Sequence, residues 1–326
     1  MDGVRLDVKD KRILGLLAQN ARLPISAIAK RVALSRDTVS YRIRNMEKNG
    51  LIQGYKTTID IKKFGYDAYH IFLQLTPFAK EEEEKLIATF VNYASARAVL
   101  KFSGRFDYEL AVVAANIEEF DKILGKILID CGTHLQNYEV LIITKHYLSQ
   151  VFPKSCVKIQ NEIRKNRIVK YKPDEKDVAI LEVIASDATL PLHVVAGQVG
   201  LSADAVNYRI KKLIAAGIIL KFVPAINYAA LSYGVYTVLA SIPDLDRNES
   251  SLRQFLNTDE NILWAVKTIG KHNVLIYVCA KNTMNLHETI IGLRSRLPNT
   301  KDYEILVLFD EYKYRLFPEV LTGKHF

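Results

Sequence analysis

Apolar residues recur with helical spacing over the first fifty positions. Ile13, Leu14, Leu16 and Leu17 form one stripe, Ile25, Ile28, Ala29 and Val32 a second, and Val39, Ile43 and Met46 a third. Ser35 precedes the third stripe as a hydroxyl N-cap, Asp37 in its first turn suits the helix dipole, and Gly50 ends it. Two strand-like runs, 51–55 and 56–60, meet at Gly54 and predict a small hairpin. Three short helices and a hairpin predict a winged helix-turn-helix, with 35–48 as its recognition helix. The period then changes. Residues 69–75 alternate, 80–93 read as a helix, and 99–103 and 108–114 flank the turn Gly104-Arg105-Phe106-Asp107. A helix over 117–129 and a strand over 136–144 complete the order β-α-β-β-α-β. That order is ferredoxin-like, and it predicts a sheet with helices on one face and a second sheet on the other.

The pattern occurs twice. Leu34-Ser35-Arg36-Asp37-Thr38-Val39-Ser40-Tyr41-Arg42-Ile43 returns as Leu201-Ser202-Ala203-Asp204-Ala205-Val206-Asn207-Tyr208-Arg209-Ile210, seven identities in ten at an offset of 167. Leu23-Pro24 aligns with Leu190-Pro191, Gly50-Leu51-Ile52 with Gly217-Ile218-Ile219, and Gly104 with Gly270 one gap later. In the second copy the strands and helices are predicted over 236–241, 251–256, 263–269, 274–280, 286–296 and 303–309. The expected fold class is therefore α+β: a winged helix-turn-helix plus a ferredoxin-like βαββαβ (RAM) domain, duplicated. The expected division is 1–57 and 173–222 for the winged helices, 58–153 and 223–326 for the ferredoxin-like domains, and 154–172 for a linker. Nineteen linker residues reach about 60 Å, enough for the two copies of one chain to pair with each other.

Charge separates the copies. The net charge of +9 divides into +7 over 1–57, −3 over 58–153, +6 over 154–172, −1 over 173–222 and 0 over 223–326. A basic head favours a polyanion, because neutralised phosphates release counterions. On the first recognition helix, Arg36, Thr38 and Ser40 are expected near the groove floor, beside Ser35 and Tyr41. Arg42, Arg44 and Lys56 are expected towards the DNA backbone. The second helix offers Ser202, Asn207, Tyr208, Arg209, Lys211 and Lys212, but has Ala203 in place of Arg36. Arg42→Ala is accordingly expected to weaken binding more than Arg209→Ala. The linker reads either as a solvated tether or as an added phosphate contact.

These residues resemble the leucine-responsive regulator (Lrp/AsnC) family of transcription factors. The resemblance rests on Leu6-Asp7-x-x-Asp10-x-x-Ile13-Leu14, Leu34-Ser35, Tyr41-Arg42-Ile43, Gly50-Leu51-Ile52 and Gly104-x-x-Asp107-Tyr108, with counterparts from Asp174 onward. It implies double-stranded DNA as partner, pairing through the ferredoxin-like sheets into a homo-oligomer or an intrachain pseudo-dimer, and sensing of a small molecule such as an amino acid. The effector would lie at Gly104, Arg105 and Asp107 and at Gly270 and Asn273, where Asn273 replaces the aspartate. A turn glycine is equally explained by a positive φ. The same tandem architecture is similar to siroheme decarboxylases, which would need His/Arg clusters facing a pocket.

Other chemistries find little footing. Cys131, Cys156 and Cys279 lie far apart, against a disulfide scaffold or a zinc module and in keeping with a reducing cytoplasm. No apolar run reaches eighteen residues, so no membrane partner is expected. Gly270-Lys271 lacks the first glycine of a P-loop, and His287-Glu288 lacks the second histidine of a zincin. His70 and His146 read as structural or surface residues, and Trp264 and Tyr277 as core aromatics of a strand pair. The expectation is a regulator with no catalytic residues, no metal and no cofactor.

Overall fold

The structure, a computed structural model, describes residues 3–157, 171–300 and 302–322. Most of the basic linker, 158–170, lies outside the described residues. The first copy runs α1 (Val8–Gln19), α2 (Ile25–Val32), α3 (Arg36–Lys48), β1 (Ile52–Ile59), β2 (Asp67–Leu75), α4 (Lys80–Val91), β3 (Ala96–Ser103), β4 (Tyr108–Ala114), α5 (Ile117–Cys131) and β5 (Leu135–Ser149). The second copy repeats it as α6 (Glu175–Ser186), α7 (Leu192–Val199), α8 (Ala203–Ala215), β6 (Ile219–Ile226), β7 (Gly234–Ser241), α9 (Leu245–Thr258), β8 (Ile262–Ile269), β9 (Val274–Ala280), α10 (Thr283–Arg296) and β10 (Asp302–Tyr314). Winged helices and ferredoxin-like halves are both present, each duplicated.

The chain gathers into two compact units, and neither is one sequence repeat. The first contains both helical heads, from Met1–Phe64, Ser155–Ser232 and Glu319–Phe326. The second contains both ferredoxin-like halves, from Gly65–Lys154 and Tyr233–Pro318.

In the helical unit, the hairpin expected over 51–60 does not form. β1 passes straight through Gly54, whose φ of +136° sits in a bulge between Ile52 and Tyr55. With that glycine absorbed, nothing reverses the chain, and the antiparallel partner is β6 of the other copy: Ile52 faces Ile226, Lys56 faces Val223 and Ile59 faces Ile219. Hydrogen bonds across this junction repeat at the 167-residue offset. Ala21 N–H donates to Phe222 O at 2.8 Å, and Ala188 N–H donates to Tyr55 O at 3.0 Å. Asp60 N–H donates to Ile218 O and Asn227 N–H to Leu51 O, each at 2.9 Å. β6 packs on α1 and β1 on α6, so each head completes its core with the other's strand.

In the second unit, among the described residues, eight strands close into a barrel in the order β10-β3-β4-β2-β5-β8-β9-β7. Helices cover its outside. Leu86, Phe90, Phe120 and Ile127 pack against Ile71, Leu73, Leu110 and Val112. Leu252, Phe255, Leu286 and Leu293 pack against Val238, Ala240, Ile276 and Val278. Two strands outrun their sequence periodicity for the same reason. β5 extends to Ser149 because residues from Lys145 on pair with β8, and β10 extends to Tyr314 because residues from Leu308 on pair with β3. Those extensions join one copy's sheet edge to the other's, leaving no open edge to guard.

Candidate nucleic-acid interface

The two recognition helices begin alike. Ser35 Oγ accepts from Thr38 N–H at 3.1 Å, and Ser202 Oγ accepts from Ala205 N–H at 3.2 Å. Both serines are therefore helix caps, and Ser35 also shares a hydroxyl contact of 2.8 Å with Thr38. Apolar Val39, Ile43 and Met46, or Val206, Ile210 and Leu213, bury one face of each helix. The opposite face is free to meet a partner.

On that face of α3, Arg36, Tyr41 and Arg44 are exposed, while Thr38 and Ser40 are half-buried. Tyr41 keeps 68% of its surface. Lys56 lies away from the helix on β1, half-buried. On α8, Lys211 is exposed and Asn207 is half-buried. Lys212 Nζ lies over the Tyr208 ring at 4.6 Å and the Tyr171 ring at 5.5 Å, an attraction that holds its charge against aromatic faces.

Arg42 and Arg209 have a different employment. Arg42 Nη1 donates to Asp7 Oδ2 and Asp10 Oδ1, each at 2.7 Å. Arg209 Nη1 donates to Asp174 at 2.8 Å and to Asp177 Oδ1 at 2.9 Å. These aspartates form the capping boxes that start α1 and α6. Each arginine thus clamps its recognition helix to the first helix of its own head. Asp177 is wholly buried and also accepts from Tyr171 Oη at 2.5 Å. The capping N–H of Asp10 and the Arg42 guanidinium hold the Asp7 carboxyl below its ordinary range. Burial raises Asp174, but the Arg209 guanidinium and the Asp177 N–H outweigh it and pull the carboxyl below its ordinary range. A signal for these clamps existed in the sequence: Asp-x-x-Asp followed by Arg recurs at one spacing in both copies. A groove of about 440 Å³ runs beside α3, where Ser40, Arg44 and Glu47 face Arg22, Pro24 and Tyr55.

The residues expected around an effector sit at turns of the barrel. Gly104 has φ +149°, and a Cβ there would lie 2.9 Å from Leu306 Cδ2. Gly270 has φ +154°, and a Cβ would lie 2.5 Å from Val140 O. Each glycine is therefore required by its backbone and by the close approach of the other copy's strand. Arg105 Nη1 pairs with Glu304 Oε1 at 2.8 Å. Asp107 Oδ2 accepts from Leu75 N–H at 2.7 Å, and Asn273 Oδ1 accepts from Ile242 N–H at 2.9 Å. Asparagine thus reproduces the aspartate's turn-locking acceptor, and its Nδ2 also donates to Ile242 O.

The sequence also left unread a polar group inside the barrel. Glu109 Oε1 accepts from His70 Nδ1 and, at 2.7 Å, from Tyr277 Oη. Trp264 stacks on His70 at 5.8 Å, lies tilted against Tyr277 at 4.9 Å and meets His146 edge-on at 6.0 Å. Three strands of the first copy and two of the second contribute, a proximity that no local spacing encodes.

Two capped helices, each with a polar face and a core-facing seam, define a DNA-binding protein of the winged helix-turn-helix class. The family model for winged helix-turn-helix DNA-binding matches residues 6–53 and again 173–219. The chain is 33% identical over 124 residues to the proline dehydrogenase transcriptional activator of Rhodobacter capsulatus, a match spanning 38% of this chain and 80% of that protein. It is 31% identical over 139 residues to the regulatory protein AsnC of Haemophilus influenzae, spanning 42% of this chain and 90% of that one. The chain belongs to the Lrp/AsnC family of transcriptional regulators, with two family units in tandem. Over its whole length its fold is similar to that of the siroheme decarboxylase NirDL, with a TM-score of 0.64, 13% identity and 96% of each chain covered. At that identity the likeness is one of fold. Among the described residues, no helix is long and apolar enough to cross a membrane.

Proposed function

We propose that this chain is a sequence-specific regulator that presents two unlike recognition helices to double-stranded DNA from one rigid head. The observation that carries this reading is the β1–β6 exchange, whose hydrogen bonds repeat symmetrically between the copies and tie α3 and α8 into one body. Arg36, Thr38, Ser40 and Tyr41 read one half-site, with Arg44 and Lys56 near phosphates. Asn207, Tyr208, Lys211 and Lys212 read the other. Ser35 and Ser202 start the helices, and Arg42 and Arg209 hold them at their angle, so their contribution to binding is indirect. The two ferredoxin-like halves, closed into one barrel, stand in for the pairing that separate chains would otherwise make.

The turns at Gly104–Asp107 and Gly270–Asn273 are the place for a small-molecule effector of the amino-acid type, acting where each copy meets the other. Thermal-shift screening against amino acids tests this part, and absence of stabilisation by any of them counts against it. The DNA reading is tested by selecting bound duplexes from a random pool. The expected result is an enriched site with two dissimilar halves at a fixed spacing. A palindrome, or no enrichment, overturns the reading.

A further inference from the structure

The backbone bonds between the two helical heads are symmetric, but three side-chain bonds beside them are not. Arg22 follows Ala21, whose N–H donates to Phe222 O. Its Nη1 donates to Ala188 O at 2.7 Å and its Nη2 to Leu190 O at 3.1 Å, with the guanidinium 5.5 Å from the Phe222 ring. One rigid fork thus grips two carbonyls of the turn that leads from α6 into α7. Thr57 of β1, wholly buried, donates through Oγ1 to Ile184 O of α6 at 2.5 Å. The positions equivalent to Arg22 and Thr57 in the second copy are Thr189 and Pro224. Thr189 donates its hydroxyl to Asp187 Oδ1 at 2.7 Å within its own turn, and Pro224 has no donor.

The same side of the junction carries a link to the first recognition helix. Tyr55 Oη donates to Glu47 Oε1 of α3 at 2.6 Å. The Tyr55 carbonyl accepts from Ala188 N–H at 3.0 Å, and the Ala188 carbonyl accepts from Arg22. The counterparts of Glu47 and Tyr55 are Ile214 and Phe222, which cannot form the first of these bonds. Through Tyr55, α3 is therefore hydrogen-bonded to the turn entering α7, and α7 packs on α8.

We propose that Arg22, supported by Thr57, is a positioning residue that fixes the distance and angle of α8 from α3 and so selects the spacing between the two half-sites on DNA. The inference rests on the DNA reading above. β1 and β6 form a sheet of two strands, and two-stranded ladders vary widely in twist. A planar fork gripping two carbonyls outside the ladder removes that freedom. One base pair of spacing moves a half-site about 3.4 Å along the duplex and about 35° around it. A head pair that keeps one twist therefore accepts one spacing, and a pair free to twist accepts its neighbours.

The duplex selected by the full chain is resynthesised with one base pair added to or removed from its centre. Binding is titrated for the parent, Arg22→Lys, Arg22→Ala and Thr57→Val. The parent is expected to prefer its own spacing about tenfold over either neighbour, and both Arg22 variants to lower that preference to about threefold or less. Base preference inside each half-site is expected to stay unchanged. Arg22→Lys keeps the charge and loses the fork, so relaxed spacing in that variant separates positioning from phosphate attraction. Thr57→Val is expected to relax the spacing less. If Arg22→Ala does not fold, Arg22→Lys decides. A second readout needs no DNA. Asp37 and Asp204 are exposed at equivalent first-turn positions of α3 and α8, and the native cysteines are buried. Spin labels at Asp37→Cys and Asp204→Cys are expected to give a narrow distance distribution that Arg22→Lys broadens. A residue that only stabilised the heads would weaken every duplex alike and leave the spacing preference as it was. That result, or a label distribution that does not broaden, overturns the proposal. A parent that selects no two-part site fails the DNA reading and this inference with it, whereas a parent with one preferred spacing and indifferent variants fails this inference alone.

Discussion

The two helical heads differ least where they hold themselves together and most where they face outward. Capping boxes at Asp7 and Asp174, serine caps at Ser35 and Ser202, and arginine clamps at Arg42 and Arg209 are kept in both. Even a lysine bond to a carbonyl is repeated: Lys9 Nζ donates to Val32 O at 2.5 Å and Lys176 Nζ to Val199 O at 3.1 Å. The outward faces diverge, with Arg36 against Ala203, Ser40 against Asn207 and Arg44 against Lys211. A scaffold bond is shared by every arrangement the head adopts, so its loss costs stability wherever it sits. An outward residue is constrained only by what it touches.

The sharpest way to break the likeness is at the clamps. Arg209→Ala takes the cationic partner from the wholly buried Asp177, which keeps Tyr171 Oη and the Asp174 N–H, and is expected to cost about 2 kcal/mol. Arg42→Ala leaves Asp7 and Asp10 partly solvated, and about 1 kcal/mol is expected. Chemical denaturation of both variants measures the gap, and equal losses would mean that Tyr171 and the Asp174 N–H satisfy Asp177 without the arginine.

The barrel offers a second contrast. Gly270→Ala drives a Cβ onto the Val140 carbonyl, whereas Gly104→Ala meets the movable end of Leu306 first. About 2 kcal/mol is expected for the former and less for the latter, read as the difference in melting temperature. The outward faces come next. Arg36→Ala is expected to weaken duplex binding about tenfold and to relax sequence preference in its half-site. Ala203→Arg should strengthen binding at the other half-site, and gel-shift titrations against duplexes altered in each half-site that show no such asymmetry would erase the distinction.

Acid gives the smallest effect. Folded Asp7 and Asp174 are both held below the ordinary 3.8, so their contribution is complete above that value. It is lost as pH falls through their lowered folded values. Arg42→Ala removes part of what depresses Asp7, so its stability curve should be flatter below about pH 4 than the parent's. Parallel acid limbs for parent and variant would sink this account.

Much of the fold was legible because its causes are local. Val39, Ile43 and Met46 bury one face of α3, and Ser35 caps it, as their spacing requires. The ends of β5 and β10 were not legible, because the residues past Thr144 and Phe309 are strand only through the other copy. The site shows the same division. Arg36, Tyr41 and Arg44 could be placed on an outward face from helical periodicity alone. Arg42 stands among them in sequence, yet it turns to two aspartates thirty-two and thirty-five residues earlier. His70 and Trp264, unremarkable apart, stack only because β2 and β8 share one barrel.

By itself, then, the amino-acid order determined that one unit is written twice, that each unit has a helical head and a ferredoxin-like half, and that positive charge gathers in the first head. These follow from spacing, caps and composition, which act within a few residues. Only the tertiary structure decided that the copies exchange strands instead of folding side by side. It also decided that two sheet edges close into a barrel and that two arginines clamp helices within the heads. Edges, buried charges and strand partners are satisfied by whatever the chain brings near, and in a duplicated chain the nearest complement to one copy is the other.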